Sequence, residues 1–190
     1  EEVRRAAAGD PEAFERLVLR HQDAVVNAAY YYLGNHEDAV DVAQEAFLKA
    51  YRGLPAFRGG SSFRTWIVTI AVNTARSLRI RGRAKKRAGR TISIDALAGE
   101  DASRPGSEDV ADPDSSSGPA ALLERKEVKE ALERAIADLD EISREVIVLR
   151  DLQGSSYDEI AGALGVPLGT VKSRVHRARL EIQEKIRPYI

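Results

Sequence analysis

Apolar positions recur at helical spacing along most of the chain, and no stretch alternates in the way a half-buried strand does. Phe14, Leu17, Val18, Val25, Ala28, Ala29 and Tyr32 follow the helical period between an Asp10-Pro11 start and a Gly34 stop. Asn35 opens a second helix with Ala39, Val42, Ala43, Ala46, Phe47 and Ala50 on its buried stripe, closed by Gly53 and Pro55. A loop, PAFRGGS, leads to a third helix starting near Ser62, where Trp66, Ile67, Ile70 and Leu78 are apolar. From about 91 to 119 the pattern disappears: Gly, Pro, Ser, Asp and Glu dominate and aromatics are missing, a composition too polar to bury a core. Helical periodicity returns near Leu122 and runs through Val128, Leu132, Ala135, Ile136 and Leu139, followed by a further helix carrying Val146, Ile147 and Leu149. The expectation is an all-α protein of two small helical domains, 1–90 and 120–190, joined by a flexible acidic linker over 91–119.

The last fifth is patterned as a helix, a tight turn and a second helix. Ser156 with Glu159 three residues on is a capping box, and Ile160, Ala161 and Leu164 form the inward face. Gly165 and Pro167 break that helix and Thr170 onward starts the next, whose Val171, Val175, Ala178 and Ile182 make one stripe. Lys172, Ser173, His176 and Arg177 share another face. A second helix carrying basic and hydroxyl groups outward is the layout of a helix-turn-helix that enters the major groove.

Composition narrows the chemistry. The chain has 190 residues, no Cys and only 3 His, which excludes disulfides and thiolate metal sites and leaves no cofactor or metal expected. No apolar run approaches the length of a membrane span, and the first residues are too polar for a secretion signal. No Met occurs, so native residues are expected to precede Glu1. The net charge of −1 hides a partition: Arg76 to Arg90 holds eight basic residues and no acid, while Asp95 to Pro119 holds seven acids against Arg104 alone. One surface is built for phosphates and another segment avoids or imitates them.

Two further clusters stand out. Asp38, Asp41, Gln44, Glu45 and Arg52 lie off the apolar stripe of the second helix, with Asp41, Gln44 and Glu45 on one face. Nothing nearby supplies a nucleophile, a metal-ligand set or a phosphate loop, leaving a solvated face or a docking face for a basic partner. In the loop and third helix, Phe57, Phe63 and Trp66 are interleaved with Arg58, Arg64 and Asn73. Aromatics among cations suit single-stranded nucleic acid, although Phe63 and Trp66 also suit a core. Asn73 offers a donor and an acceptor to a base edge.

The segments DAVDVAQEAFLKAY, FRGGSSFRTWIVTIAVNTARS and YDEIAGALGVPLGTVKSRVHRAR resemble, in this order and separation, the extracytoplasmic function (ECF) sigma factors of bacterial RNA polymerase, most closely the RpoE-like branch. The resemblance runs from Asp10 to Ile190 outside the linker. It implies a region 2 that docks on the polymerase clamp helices through Asp38, Asp41, Gln44 and Glu45. It also implies −10 recognition and strand opening by Phe57, Ser62, Phe63, Trp66 and Asn73, with Arg76, Arg79, Arg81 and Arg83 on backbone phosphates. Region 4 is implied to read the −35 element through Thr170, Lys172, Ser173, Arg174, His176 and Arg177, with Arg174 and Arg179 toward phosphates or the polymerase flap. Lys172 and His176 stand where relatives often carry Arg or an aromatic, which alters the base preference. The implied partners are core RNA polymerase, promoter DNA and an anti-sigma factor. The implied protein is a promoter-specificity subunit without its own catalytic site, cytoplasmic, and held at the membrane only through that anti-sigma factor. The competing readings are a stand-alone helix-turn-helix regulator, which binds duplex DNA without polymerase, and a recombinase, which needs a catalytic constellation that the first half does not supply.

Overall fold

The computed structural model describes the backbone of residues 1–90 and 119–190 and the side chains of 1–82 and 125–190, so the expected linker lies outside the described residues save for residue 119. Eight α-helices and no strand are found among the described residues. The N-terminal half holds α1 (Glu2–Ala7), α2 (Pro11–Leu33), α3 (His36–Gly53) and α4 (Phe63–Arg90). The C-terminal half holds α5 (Pro119–Asp138), α6 (Glu141–Ile147), α7 (Tyr157–Leu164) and α8 (Leu168–Ile186).

Local chemistry sets most of these boundaries. Asp10 accepts the Ala13 amide at 3.1 Å, Pro11 opens α2, and Gly34 ends it at φ 75°. Asn35 caps α3 by accepting the Glu37 amide at 2.9 Å. Ser156 and Glu159 form the reciprocal capping box of α7, and Gly165 closes that helix at φ 64°.

Four elements differ from the sequence expectation, the first being α5, which starts at Pro119, within the expected linker and ahead of Leu122, with Pro in the first turn where no amide is needed. Helix α1 was not foreseen: it is short and polar, but Ala6 is buried and Glu2 pairs with Arg16 at 3.1 Å and Arg20 at 2.6 Å on α2. Helix α8 begins at Leu168, ahead of Thr170, because Pro167 fixes φ at −60° and feeds the chain straight into the first turn. The helix expected around Val146 to Leu149 ends as α6 and continues as a π-helical turn, Val148–Leu152, whose added residue lets the Gln153 amide reach the Val148 carbonyl at 3.1 Å.

The first half packs through small residues. Ala28, Ala29, Ala39, Ala43, Ala46, Ala50, Ala71 and Ala75 are all buried, so α2, α3 and α4 approach closely, with Leu17, Tyr32, Leu54 and Ile67 filling the remaining volume. In the second half Ile147, Leu149, Ile160, Val171 and Val175 are buried between α6, α7 and α8.

The two halves are packed against each other, α2 on α5 and α4 on α7. At their junction Arg144 is the largest fully buried side chain, at 1% exposure. Its guanidinium donates to the carbonyls of Ile136 at 2.9 Å and Leu139 at 2.8 Å, to that of Ala137, and across the junction to that of Tyr32 at 3.4 Å. Its Cζ also lies 5.3 Å from the Tyr32 ring centroid. These carbonyls belong to the C-terminal turns of α2 and α5, neither of which has a basic residue in its own last turn. Arg144 therefore brings a cation to two negative helix ends at once, where orphan carbonyls need donors.

Candidate polymerase and nucleic-acid interfaces

Asp38, Asp41, Gln44 and Glu45 are all exposed on α3, opposite the buried Ala39, Val42, Ala43 and Ala46. The spacing of an amphipathic helix produces this separation. Leu48 and Tyr51 continue the face toward the helix end and are 59% and 48% exposed. Lys49 holds the Glu45 carboxylate at 2.8 Å and donates to Thr74 on α4 at 3.0 Å, fixing that part of the face to the bundle. Its hydrogen bond holds the Glu45 carboxyl below the usual carboxylate range.

The aromatics expected near the −10 strand form one cluster. Phe57 and Trp66 lie 4.8 Å apart between ring centroids, Phe63 and Trp66 5.8 Å, and His21 on α2 sits 5.4 Å from Phe63. Phe63 is buried, while Phe57 and Trp66 are only partly covered. Phe63 thus supports the other two rings rather than offering a face of its own. A Cβ at Gly53 would stand 3.6 Å from the Trp66 ring, so the end of α3 forms a wall of the cluster. Asn73 is partly buried one turn before Arg76, and its carbonyl accepts the Ser77 hydroxyl at 2.9 Å.

Along the same helix, several expected DNA contacts are engaged by the other half of the molecule. Ser62 caps α4 by accepting the Thr65 amide at 3.0 Å, and its own amide donates to Glu159 of α7 at 2.9 Å. Arg76 pairs with Glu145 of α6 at 3.3 Å. Arg79 donates to the Tyr32 carbonyl at 3.3 Å and the Ala137 carbonyl at 3.5 Å. Arg81 is exposed and turns back to the Ser77 carbonyl at 3.3 Å, while the side chain of Arg83 lies outside the described residues.

Sequence reasoning missed the partners in this seam. Glu159 was legible as a cap, but not as a carboxylate shared between two helices. Its Oε2 accepts the Ser156 amide at 2.9 Å, while its Oε1 accepts the Ser62 amide and, at 3.2 Å, the Thr65 hydroxyl. These donors, led by the Ser62 amide, hold its pKa down to about 2. Glu145 has the opposite environment: at 3% exposure, burial pushes its carboxyl up against the opposing pull of Arg76. Its Oε1 has no hydrogen-bond partner among the described residues. The available signal was the charged pair Arg144-Glu145 beside Val146 and Ile147, at positions where a helix buries its core face.

The α8 face is presented differently. Lys172, Ser173, His176 and Arg177 are exposed together, with Thr170 and Arg174 partly buried at its edge. The Ser173 hydroxyl donates to the Thr170 carbonyl at 3.0 Å. Arg179 is held by Asp151 in a two-pronged pair of 2.9 and 2.5 Å, which ties α8 to the π-helical turn and takes that guanidinium away from the open face.

No described helix is long and apolar enough to cross a membrane, and no cluster that could hold a metal is found among the described residues.

Residues 17–87 match the Sigma-70 region 2 family and residues 129–182 match Sigma-70, region 4. The chain is 39% identical over 189 residues to the ECF RNA polymerase sigma-E factor of Escherichia coli K12, covering 99% of this chain and 94% of that protein. It is 37% identical to the RNA polymerase sigma-H factor of Pseudomonas aeruginosa, over 99% of this chain and 93% of the relative. Among solved structures it is similar to CnrH in complex with the cytosolic domain of CnrY, at TM-score 0.64 and 30% identity over 96% of this chain and 93% of that one. It is equally similar, at TM-score 0.64 and 27% identity over 92% and 96%, to the sigma factor RpoE in complex with the anti-sigma factor NepR from Bartonella quintana. An all-α chain with these two sigma-70 regions in order, alike over nearly its whole length to sigma-E, belongs to the ECF sigma factors of bacterial RNA polymerase.

Proposed function

We propose that this sigma factor works as three separate contact surfaces carried on two helical domains, 1–90 and 120–190, with 91–119 as their tether. The acidic face of α3 (Asp38, Asp41, Gln44 and Glu45) docks on the clamp helices of core polymerase. Phe57, Trp66 and Asn73 capture unpaired −10 bases, backed by Phe63, and Ser62, Arg76, Arg79, Arg81 and Arg83 hold the adjacent phosphates. The face of α8 bearing Thr170, Lys172, Ser173, Arg174, His176 and Arg177 reads the −35 duplex. As a promoter-specificity subunit the chain supplies recognition and strand opening, and the phosphoryl chemistry stays with the polymerase, with no catalytic site or cofactor of its own. Capture of unpaired bases offsets the cost of melting, so no nucleotide-driven step is required.

The observation that carries this reading is the separation of faces. The four acidic and amide groups of α3 point to solvent on one side of the first bundle, and the basic groups of α8 point to solvent on the second. A stand-alone regulator has no use for the first of these. An anti-sigma factor that covers these faces and keeps the protein in the cytoplasm, or beside the membrane, completes the proposal.

Asp41→Arg combined with Glu45→Lys tests the docking assignment. The reversal puts like charges against a basic partner. Assembly with core polymerase should weaken by at least about tenfold, while duplex binding by α8 stays unchanged. Normal holoenzyme assembly on a sizing column, with normal transcription, would remove α3 from the interface.

A further inference from the structure

Resting on the assignment of the aromatic cluster to the −10 strand, we propose that His21 is a positioning residue for base capture, an aromatic floor that holds Phe63, and through it Trp66, in place. The stripe of α2 that faces the bundle is buried at Leu17, Val25, Ala28 and Tyr32. Midway between Leu17 and Val25, one turn from each, the helical period asks for an apolar residue, and the chain places a half-buried His21 there. The departure has a geometric counterpart. His21 meets α4 at its first residue, with ring centroids 5.4 Å apart and an angle of 46° between the His21 and Phe63 planes. Phe63 in turn lies 5.8 Å from Trp66 and 6.3 Å from Phe57, and those two rings are 4.8 Å apart. These separations fall in the range where aromatic pairs attract beyond the area they bury.

The four rings differ in how firmly the backbone holds them. Phe57 follows the 3₁₀ turn Leu54–Ala56 and heads a loop that includes Gly59 at φ 71°. Phe63 and Trp66 belong to the first turn of α4. His21 alone sits in mid-helix, with Leu17 at 1% exposure a turn before it and Val25 at 0% a turn after. A base that stacks on Trp66 or Phe57 passes its contact to Phe63, and Phe63 rests on the ring with the most rigid backbone. A flat ring also gives Phe63 a face that leucine lacks, and the face is neutral. Burial, then the guanidiniums of Arg20 on the same helix and Arg64 on α4, hold the imidazole below the ordinary histidine value of 6.5, with Glu2 of α1 opposing them. The uncharged floor draws no water into the cluster at neutral pH.

Trp66 is the only tryptophan of the chain, so its fluorescence reports on the cluster directly. His21→Ala should raise acrylamide quenching of Trp66 in the free full-length chain. In holoenzyme, promoter opening read by permanganate reactivity of the −10 thymines should fall about tenfold, the scale of losing one aromatic pair together with its burial. Assembly with core polymerase on a sizing column should stay unchanged. His21→Phe keeps the ring, cannot be charged, and should restore both the quenching and the opening. Because the folded chain binds the His21 proton less readily than the unfolded chain, the floor is intact above 6.5 and weakens as pH falls below it. The ratio of opening by His21→Phe to opening by the unsubstituted chain should therefore stay level above 6.5 and rise about threefold in acid. Full opening by His21→Ala would overturn the proposal. So would a ratio that stays level in acid, or a His21→Phe chain with unchanged circular dichroism that restores nothing. Failure of the −10 assignment has its own signature: Trp66→Ala would open promoters as well as the unsubstituted protein, while His21→Ala still exposed Trp66 to the quencher.

Discussion

The surfaces of α4 and α8 that we propose face DNA carry similar chemistry and are presented in opposite ways. Both mix basic residues with hydroxyls on one side of a long amphipathic helix. On α8 the stripe of Val171, Val175, Ala178 and Ile182 is buried and the polar face is bare. On α4 burial is wider: Ile67, Val68, Ala71, Val72 and Ala75 are buried, while Thr65 and Arg76 run on the side taken up by the second half. A helix that reads duplex DNA needs only an open face that fits a groove. A helix that captures a separated strand needs a surface that attracts phosphates strongly, and such a surface also attracts carboxylates from its own chain. On the proposed roles, the asymmetry follows from what each grip must hold.

The strongest way to break this comparison is through Arg144, the buried guanidinium that reaches across the junction to the Tyr32 carbonyl. Arg144→Met keeps much of the side-chain volume but removes its hydrogen bonds to four carbonyls, leaving Arg79 as the cation at the ends of α2 and α5. The expected loss is about 3 kcal/mol, chiefly from the Leu139 carbonyl left without a donor and from the lost charge-assisted bonds, since Arg79 still donates to the Tyr32 and Ala137 carbonyls. Urea unfolding should show it, with the α4 surface becoming accessible before the bundles themselves melt. A loss confined to global unfolding, with no early exposure of α4, would mean that Arg144 serves only the second bundle.

A smaller effect separates base reading from phosphate holding on the open face. Arg177→Ala should cost about 1–3 kcal/mol at one base pair of the −35 element if Arg177 reads a base edge. If it holds a phosphate, binding should weaken evenly across sequences and the salt slope should fall by about one. The measurement uses the holoenzyme on promoters varied in the −35 element, because duplex binding without polymerase is the mark of a stand-alone regulator. Arg179→Ala is the matched control, because its guanidinium is already committed to Asp151.

Legibility in the sequence followed the range of the interaction. The caps at Asp10, Asn35 and Ser156, the stops at Gly34 and Gly165, and the apolar stripes of α2, α3 and α8 were readable because each depends on residues within one or two turns. The exposure of Asp41 or Lys172 follows from the same stripes. Helix α1 was not readable, because its stability comes from Glu2 reaching Arg16 and Arg20 rather than from its own pattern. The seam was unreadable for a stronger form of that reason. Ser62 and Glu159 are 97 positions apart, and nothing local marks a capping-box glutamate as having a spare lone pair aimed at another helix. Phe63 shows the boundary case: its spacing allowed either core or nucleic-acid contact, and only packing against His21 and Trp66 decides for support.

The smallest expected effect sharpens the comparison within the seam itself, since its two carboxylates titrate in opposite directions. Glu159 is held at about 2 against an ordinary value of 4.5, so the folded state binds its proton less readily than the unfolded state. Its stabilising effect is complete above 4.5 and drains away as pH falls from there toward about 2. Glu145, raised by burial, binds its proton more readily when folded. It favours the fold at low pH and loses that advantage as pH rises from 4.5 through its raised value, with Arg76 and Arg174 opposing the shift and Glu141 adding to it. The difference in urea midpoint between the unsubstituted chain and Glu159→Gln should therefore shrink as pH drops below 4.5. The difference for Glu145→Gln should change only above that value, with the substituted chain gaining relative stability toward neutral pH. Parallel pH profiles for the two variants would show that the carboxylates share one environment, and the separation of an ionised clamp at α7 from a strained, buried pair at α6 would fail.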